Sequence, residues 1–174
     1  MSLLDKVISA VTPATAEDEV NAIDLLKKDH DEVDALFKDY EMLADGGHAD
    51  SADRRALSTR ICGMVAVHAM IEEEIFYPAA RRAGVDADLL DEADIEHGSA
   101  KQLIAEIGAA RASDSHYDAR VKVLGEYIRH HVKEEENELF PACRKSEMDM
   151  AAIGARLQKR KAELLQKLAG GGQS

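Results

Sequence analysis

The sequence predicts an all-α protein: an antiparallel four-helix bundle with short extra helices at both termini. Four long stretches place apolar residues at spacings of three and four, which is the pattern of a helix with one buried face. No segment alternates polar and apolar residues for long, so nothing predicts a strand. The chain has 174 residues, enough for one domain to bury a core without disulfide or metal staples.

The individual helices follow from these stretches and from the breaks between them. Five are predicted, near residues 16–44, 51–82, 87–111, 116–145 and 149–168. Ser115 and Asp118 form an S/T-x-x-D signature, which predicts that the fourth helix begins there. Pro78 and Pro141 fall near the ends of the second and fourth patterns, where they predict kinks or early ends.

The predicted organisation has three parts. Residues 1–14 form an N-terminal helix or extension, residues 15–146 the four-helix bundle, and residues 147–174 a C-terminal helix and flexible tail. The first segment is interpreted as a short amphipathic helix rather than an export signal. It lacks a basic start, and Asp5 and Lys6 interrupt its apolar stretch.

Charge and cysteine usage exclude several classes of protein. The chain has 22 basic and 34 acidic residues, a net charge of −12, which argues against nucleic acid as a partner. No run approaches the roughly 18–20 apolar residues of a membrane span, so no membrane partner is expected. Cys62 and Cys143 are too few for a disulfide framework, and neither belongs to a C-x-x-C pair. The sequence therefore predicts a cytoplasmic protein.

The last helix is the exception to the acidic character. Residues 149–174 hold five basic and two acidic residues. Four of the basic residues fall close together: Arg156, Lys159, Arg160 and Lys161. They indicate either a docking patch or simply a solvated helix face.

One stretch of sequence occurs twice, and both copies carry residues that bind metals. His68 is followed by Glu72, and His131 by Glu135, each at a spacing of four. Both copies continue with another glutamate, two bulky apolar residues and a proline at position ten. Side chains four residues apart share one helix face, with Cβ atoms about 5–6 Å apart. Two such helices facing each other predict a dinuclear metal site.

Every one of the four long apolar stripes carries one histidine near its middle. These are His30, His68, His97 and His131. A single histidine on an apolar face is more often a hydrogen-bonded core residue than a ligand. Four imidazoles and two carboxylates buried together would each cost a few kcal/mol unless paired, against a total stability of about 5–15 kcal/mol. This combination predicts bound metal. His130 points away from the stripe, where Glu134 could pair with it.

These residues resemble the hemerythrin-like, or HHE cation-binding, domain family. The matching residues are Asp29-His30, His68/Glu72, Glu96-His97, and His131/Glu135 followed by Leu139-Phe140-Pro141. The resemblance spans roughly residues 20–145. It implies an up-and-down bundle holding two non-haem iron ions joined by an oxo or hydroxo bridge. It also implies a ligand set in which His30 and His68 serve one iron, His97 and His131 the other, and Glu72 and Glu135 bridge them.

The sequence departs from the oxygen-carrying hemerythrins at Lys101, where those proteins have a further histidine. With four histidines and two carboxylates, each iron would keep one open position. Two open positions favour two-electron chemistry over simple oxygen carriage. Lys101 either bends outward or approaches the centre as a ligand or hydrogen-bond donor. Asp94 is expected to orient His97, while Glu73 and Glu136 are expected to hydrogen-bond to ligands from outside.

The metal and the reaction stay open at this stage. Mixed imidazole and carboxylate ligands suit iron, manganese or zinc, and the resemblance favours iron. The sequence predicts a stress-related or iron-homeostasis protein that binds, senses or reduces dioxygen, peroxide or nitric oxide. The alternatives are a non-catalytic oxygen or iron sensor and an iron donor for iron–sulfur repair. No nucleotide or flavin motif is recognisable, so any electron donor must be external.

Overall fold

The structure, a computed structural model, describes residues 20–46 and 51–170, and this part of the chain contains helices and no strand. The helices are α1 (Ala22–Asp45), α2 (Ser51–Ile71, Glu72–Phe76 and Tyr77–Arg82), α3 (Ala87–Ala109), α4 (Tyr117–Glu134, Glu135–Leu139 and Phe140–Lys145) and α5 (Met150–Gly170). The all-α prediction is confirmed. The predicted first helix, within residues 1–14, lies outside the described residues. Among those described, no helix has the length and apolar content needed to cross a bilayer.

Helix α1, predicted near residues 16–44, begins later than predicted, and a side chain caps its first turn. Asn21 precedes α1, and its side-chain oxygen accepts hydrogen bonds from the backbone N–H groups of Ile23 at 3.0 Å and Asp24 at 3.4 Å. Such a cap satisfies donors that the first helical turn leaves free. The helix therefore starts at Ala22 rather than near residue 16.

The S/T-x-x-D cap predicted at the start of α4 is not formed. The helix begins at Tyr117, and no side chain caps it. The side chain of Asp118 is engaged elsewhere, because it accepts a hydrogen bond from Tyr40 at 2.7 Å and pairs with Arg54 at 2.6 Å. The S/T-x-x-D pattern at Ser115 thus reflects a tertiary contact between helices rather than a capping box.

Both copies of the repeated motif widen into a π-helical turn just before their proline. The first π turn is Glu72–Phe76 and the second is Glu135–Leu139. In each, the backbone N–H of the next residue, Tyr77 or Phe140, bonds to the carbonyl five residues earlier. Proline has no N–H, and its ring crowds the carbonyl four residues back, so an extra residue in the turn relieves the conflict. The helices continue instead of ending there.

The π turns change which residues face the bundle interior. In a regular α-helix, a residue nine positions after a histidine lies about two and a half turns away, on the opposite face. Tyr77 and Phe140 occupy that position after His68 and His131, yet both are buried. The wider turn rotates each ring back toward the bundle interior.

The bundle core consists of two apolar clusters with the histidines between them. One cluster contains Leu26 and Ile71 and extends to α5; the other contains Val33 and Val65. Along α1, residues of the first cluster precede His30 and residues of the second cluster follow it. Along α2, residues of the second cluster come first and those of the first cluster follow. Helices α3 and α4 repeat this alternation. The four histidines therefore lie in one layer of an antiparallel bundle.

Helix α5 lies against α1 and α2 and completes the first cluster with Ile153, Leu157 and Leu164. Gly154 of this helix is buried against the residues at the start of α1. A Cβ atom there would collide with the backbone carbonyl of Val20 and lie 2.9 Å from the backbone nitrogen of Ala22. The absence of a side chain at this position lets the two helices pack closely.

We expect Gly154→Ala to lower the free energy of unfolding by about 1–3 kcal/mol, because the backbone of α5 must move away to relieve the collision. Gly98→Ala is the matched control, since Gly98 is exposed within α3 and a Cβ there meets no atom within 4 Å. That substitution should stabilise the helix by up to about 1 kcal/mol. Urea unfolding of the metal-free proteins measures both. Undiminished stability of the Gly154 variant would contradict the packing of α5 described above.

Candidate metal centre

The six residues predicted as metal ligands come together in the layer between the two apolar clusters. Each is at most 9 % exposed: His30, His68, Glu72, His97, His131 and Glu135. The histidines face each other in pairs through their Nε2 atoms. The Nε2 atoms of His30 and His68 are 3.1 Å apart, and those of His97 and His131 are also 3.1 Å apart.

The two glutamates lie between these pairs. The Oε2 atom of Glu72 is 3.2 Å from the Nε2 of the histidine one turn earlier and 3.4 Å from the Nε2 of His97. The Oε2 atom of Glu135 is 3.5 Å from the Nε2 of the histidine one turn earlier and 3.3 Å from the Nε2 of His30. Each carboxylate therefore lies near one histidine of each pair, which is the position that a bridging ligand requires.

A second ring of carboxylates holds the outer nitrogen of every histidine. The Nδ1 contacts are His30 to Glu136 at 2.9 Å, His68 to Asp29 at 3.5 Å, His97 to Glu73 at 2.9 Å and His131 to Glu96 at 2.7 Å. A carboxylate at Nδ1 accepts its proton and leaves the lone pair of Nε2 free. With every Nδ1 protonated in this way, as metal binding requires, all four Nε2 lone pairs would point toward the centre of the bundle.

This ring corrects one sequence expectation and adds two residues. Asp94 does not orient His97, because its carboxylate pairs with Arg81 at 2.8 Å. The expected contacts of Glu73 and Glu136 with histidines are present. The roles of Asp29 and Glu96 were missed, although each directly precedes a histidine of the motif, and that repeated acid–histidine pair was the available signal.

Each carboxylate of the outer ring also contacts a basic side chain. Lys101 bends away from the centre and donates to both oxygens of Glu73, at 2.7 and 2.6 Å. The other pairs are Lys27 with Glu136 at 3.2 Å, Lys161 with Asp29, and His130 with Glu96 at 3.6 Å. Lys101 therefore steadies the carboxylate that orients His97.

Tyr77 is a further polar group of the site that the sequence analysis overlooked. Its hydroxyl donates to Glu135 Oε1 at 2.8 Å and lies 3.3 Å from His97 Nε2. Burial and the nearby carboxylates raise the pKa of Tyr77 well above its usual value, so the hydroxyl stays a donor. Phe140 is its counterpart in the second copy and stacks on His30, with ring centroids 5.7 Å apart. The sequence signal for the role of Tyr77 was that the two copies of the repeat differ here, with tyrosine in one and phenylalanine in the other.

The electrostatics of the centre favour positive charge. Burial by itself lowers the pKa of His68, but the charge of Glu72 and the bond to Asp29 outweigh it and raise the pKa to about 10. Burial likewise favours protonated Glu72, yet His68 and His97 hold its pKa well below the ordinary value. Without a metal ion, a protonated His68 supplies positive charge beside the buried carboxylates.

The remaining polar atoms test whether a metal fits. Glu72 Oε1 and Glu135 Oε2 are buried and have no hydrogen-bond partner within residues 20–46 and 51–170. An unsatisfied carboxylate oxygen in a protein interior is costly. A cation beside each histidine pair would satisfy these oxygens and the four inward lone pairs together. The donors are imidazole and carboxylate, which suit iron, manganese or zinc, so the residues present fit a pair of such ions.

A small cavity adjoins the histidines on the side of the second apolar cluster. It offers about 20 Å³ to a water-sized molecule. Much of its wall is apolar and includes Val33, Val65, Ala100, Ile104 and Val132. All four histidines of the centre also line it.

Two known proteins are similar to this chain. A protein named DNA nickase from Nostoc sp. strain PCC 7120 is 29 % identical over 136 residues, which cover 78 % of this chain and 37 % of that protein. The chain thus spans little more than a third of that relative. A crystal structure of a hemerythrin HHE cation-binding domain-containing protein from Mycobacterium kansasii aligns with a TM-score of 0.68. It is 23 % identical, and the alignment covers 86 % of this chain and 93 % of that one, which shows the shared fold.

The family assignment rests on a match that covers the helical bundle. Residues 21–143, more than half of the chain, match the Hemerythrin HHE cation binding domain. This range contains all six residues of the centre and the carboxylates of the outer ring. The chain therefore belongs to the hemerythrin HHE cation-binding domain family, and its buried histidine and glutamate clusters can hold metal ions.

Proposed function

We propose that this protein holds two iron ions and uses them to bind or reduce a small oxidant, such as dioxygen, peroxide or nitric oxide. The observation that carries the proposal is the cavity of about 20 Å³ lined by all four histidines. A single water needs about 10–15 Å³, so the cavity admits only a ligand of a few atoms. Its largely apolar wall favours an uncharged ligand.

The proposed ligand set follows the distances in the centre. His30 and His68 hold one ion, His97 and His131 the other, and Glu72 and Glu135 bridge them. Two iron ions would together supply two electrons to the oxidant. The protein positions the ligands through the outer ring and keeps bulk water out through the two apolar clusters. Reducing equivalents would come from an external donor.

Tyr77 makes the two metal positions inequivalent. Its hydroxyl lies beside His97, whereas the corresponding ring beside His30 is the phenyl group of Phe140. The hydroxyl holds Glu135 in place and keeps a proton near the His97 side of the centre. The hydroxyl does not line the cavity, so it acts on the centre through Glu135 and His97.

A sensor is the second candidate, and contacts of α5 favour it. Lys161 pairs with Asp29, which in turn bonds to His68, and Arg160 pairs with Glu74 at 2.6 Å. A change of charge at the centre would alter the attraction between Asp29 and Lys161. Two of the four basic residues predicted as a docking patch are thus engaged within the protein. Helix α5 could report the state of the centre by loosening from the bundle.

The nickase activity in the name of the Nostoc relative is not part of the proposal. The chain covers 37 % of that protein, so the name describes a much longer molecule. The net charge of −12 opposes binding to a phosphate backbone.

We expect purified protein to contain about two iron ions per chain, and His131→Ala to lose at least one of them, because the second pair keeps a single imidazole. The loss of the contacts from His131 to Glu96 and Glu135 should also lower the stability by about 1–3 kcal/mol. His130→Ala is the matched control, since this neighbouring side chain is 61 % exposed and contacts Glu134. Metal analysis and thermal unfolding of both variants provide the readout. Loss of iron from the His130 variant alone would contradict the ligand set.

Stopped-flow mixing of the reduced, iron-loaded protein with peroxide and with nitric oxide tests the function. An enzyme should consume many equivalents of oxidant when a reductant is present, with spectral changes that repeat in each cycle. A sensor should react once and expose α5 to proteolysis between Arg156 and Lys167. Iron spectra that do not respond to peroxide, nitric oxide or dioxygen would rule out both functions.

A further inference from the structure

The groove between α3 and α4 leads from the surface to the metal centre. It is a cleft of about 170 Å³. Its outer part is acidic and includes Glu134 and the exposed Glu138. Its inner part is formed by His131 and Glu135, which are 4 % and 2 % exposed. The cleft therefore joins solvent to two of the six residues of the centre.

Two residues of this cleft, Glu96 and Glu134, form a second group of candidate metal-binding side chains with the neighbouring His130. Glu96, His130 and Glu134 each offer one atom, and these atoms lie within 4.8 Å of one another. The Nε2 of His130 is 3.2 Å from Glu134 Oε1 and 3.6 Å from Glu96 Oε1. The other oxygen of Glu96 contacts His131 Nδ1 at 2.7 Å. One carboxylate thus belongs to both the outer group and the centre.

The partner of Glu96 also sets this cleft apart. The three other carboxylates of the outer ring each pair with a lysine, which would repel a metal cation. Glu96 instead faces His130, whose imidazole can bind a metal when it is neutral. The inner end of the cleft is lined by Glu135, the residue of the centre whose buried Oε2 finds no hydrogen-bond partner among the described residues.

At the corresponding positions the other half of the bundle carries buried apolar residues. In the repeat, Val67, Ile71 and Ile75 correspond to His130, Glu134 and Glu138. These three apolar residues are buried in the cluster that α5 completes. Asp29, the counterpart of Glu96, pairs with Lys161 from α5. The two halves therefore differ: one is closed by α5, and the other is open and acidic.

We propose that the α3–α4 cleft is the entry route for the metal. Glu96, His130 and Glu134 form an outer site that captures a divalent cation before it passes to the buried centre. This inference rests on the proposed function, because it assumes that the centre binds metal. A cation leaving water would first exchange part of its hydration shell for His130 and Glu134. It would then meet Glu135 at the inner end of the cleft.

Uptake of cobalt(II) by the metal-free full-length protein tests the route, because bound cobalt(II) absorbs visible light. Stopped-flow absorbance gives the rate, and titration gives the final number of ions. We expect Glu134→Gln to slow uptake about tenfold, which is the scale of electrostatic capture in a charged cleft. His130→Gln should also slow it. The final number of ions should match the wild type in both variants.

Glu126→Gln is the matched control, since this exposed glutamate of α4 lies outside the cleft and its loss changes the net charge equally. It should take up cobalt(II) at the wild-type rate. Equal rates for the Glu126 and Glu134 variants would overturn the entry route, and so would a lower final metal content in the Glu134 variant. Wild-type protein that binds no cobalt(II) at the centre would instead refute the metal site and the proposed function together.

Discussion

The structure depends on how a layer of charge is accommodated in the middle of a helical bundle. Four imidazoles and two carboxylates are buried between two apolar clusters, and two carboxylate oxygens there have no hydrogen-bond partner. Their attraction for positive charge appears in the raised pKa of His68 and the lowered pKa of Glu72. Burying such a layer in an apolar core lowers the folding stability, whereas a pair of metal ions would satisfy its polar groups. The outer carboxylates and their basic partners then serve to hold the imidazoles in one orientation.

The internal repeat explains most of the site, and the departures from it explain the rest. Each half contributes one acid–histidine pair and one histidine–glutamate helix that widens into a π turn. The halves differ where Tyr77 of one corresponds to Phe140 of the other, and where α5 covers one side while an acidic cleft opens on the other. A symmetric framework thus supports a centre whose two histidine pairs, and whose two sides, are chemically distinct.

The sequence predicted the histidine layer because periodicity decides which helix face is buried. All six proposed ligands meet, since spacings of three and four fix one face whatever the exact helix ends. Contacts between helices were harder to predict. Asp94 lies one turn from His97 but binds Arg81, and Asp118 caps no helix because it bonds to Tyr40 and Arg54. Tyr77 was missed because ideal α-helical geometry places it on the wrong face. A π turn depends on how proline is accommodated, which apolar spacing does not reveal.

The central claim is that the buried layer is a preformed site for two metal ions. Anomalous diffraction at the iron edge from crystals of the iron-loaded protein tests it most directly. We expect two iron peaks, one beside His30 and His68 and the other beside His97 and His131, with Glu72 and Glu135 contacting both. The outer carboxylates should keep their contacts with the histidines. A single iron, or iron bound only at the surface with the four histidines still facing one another, would contradict the account.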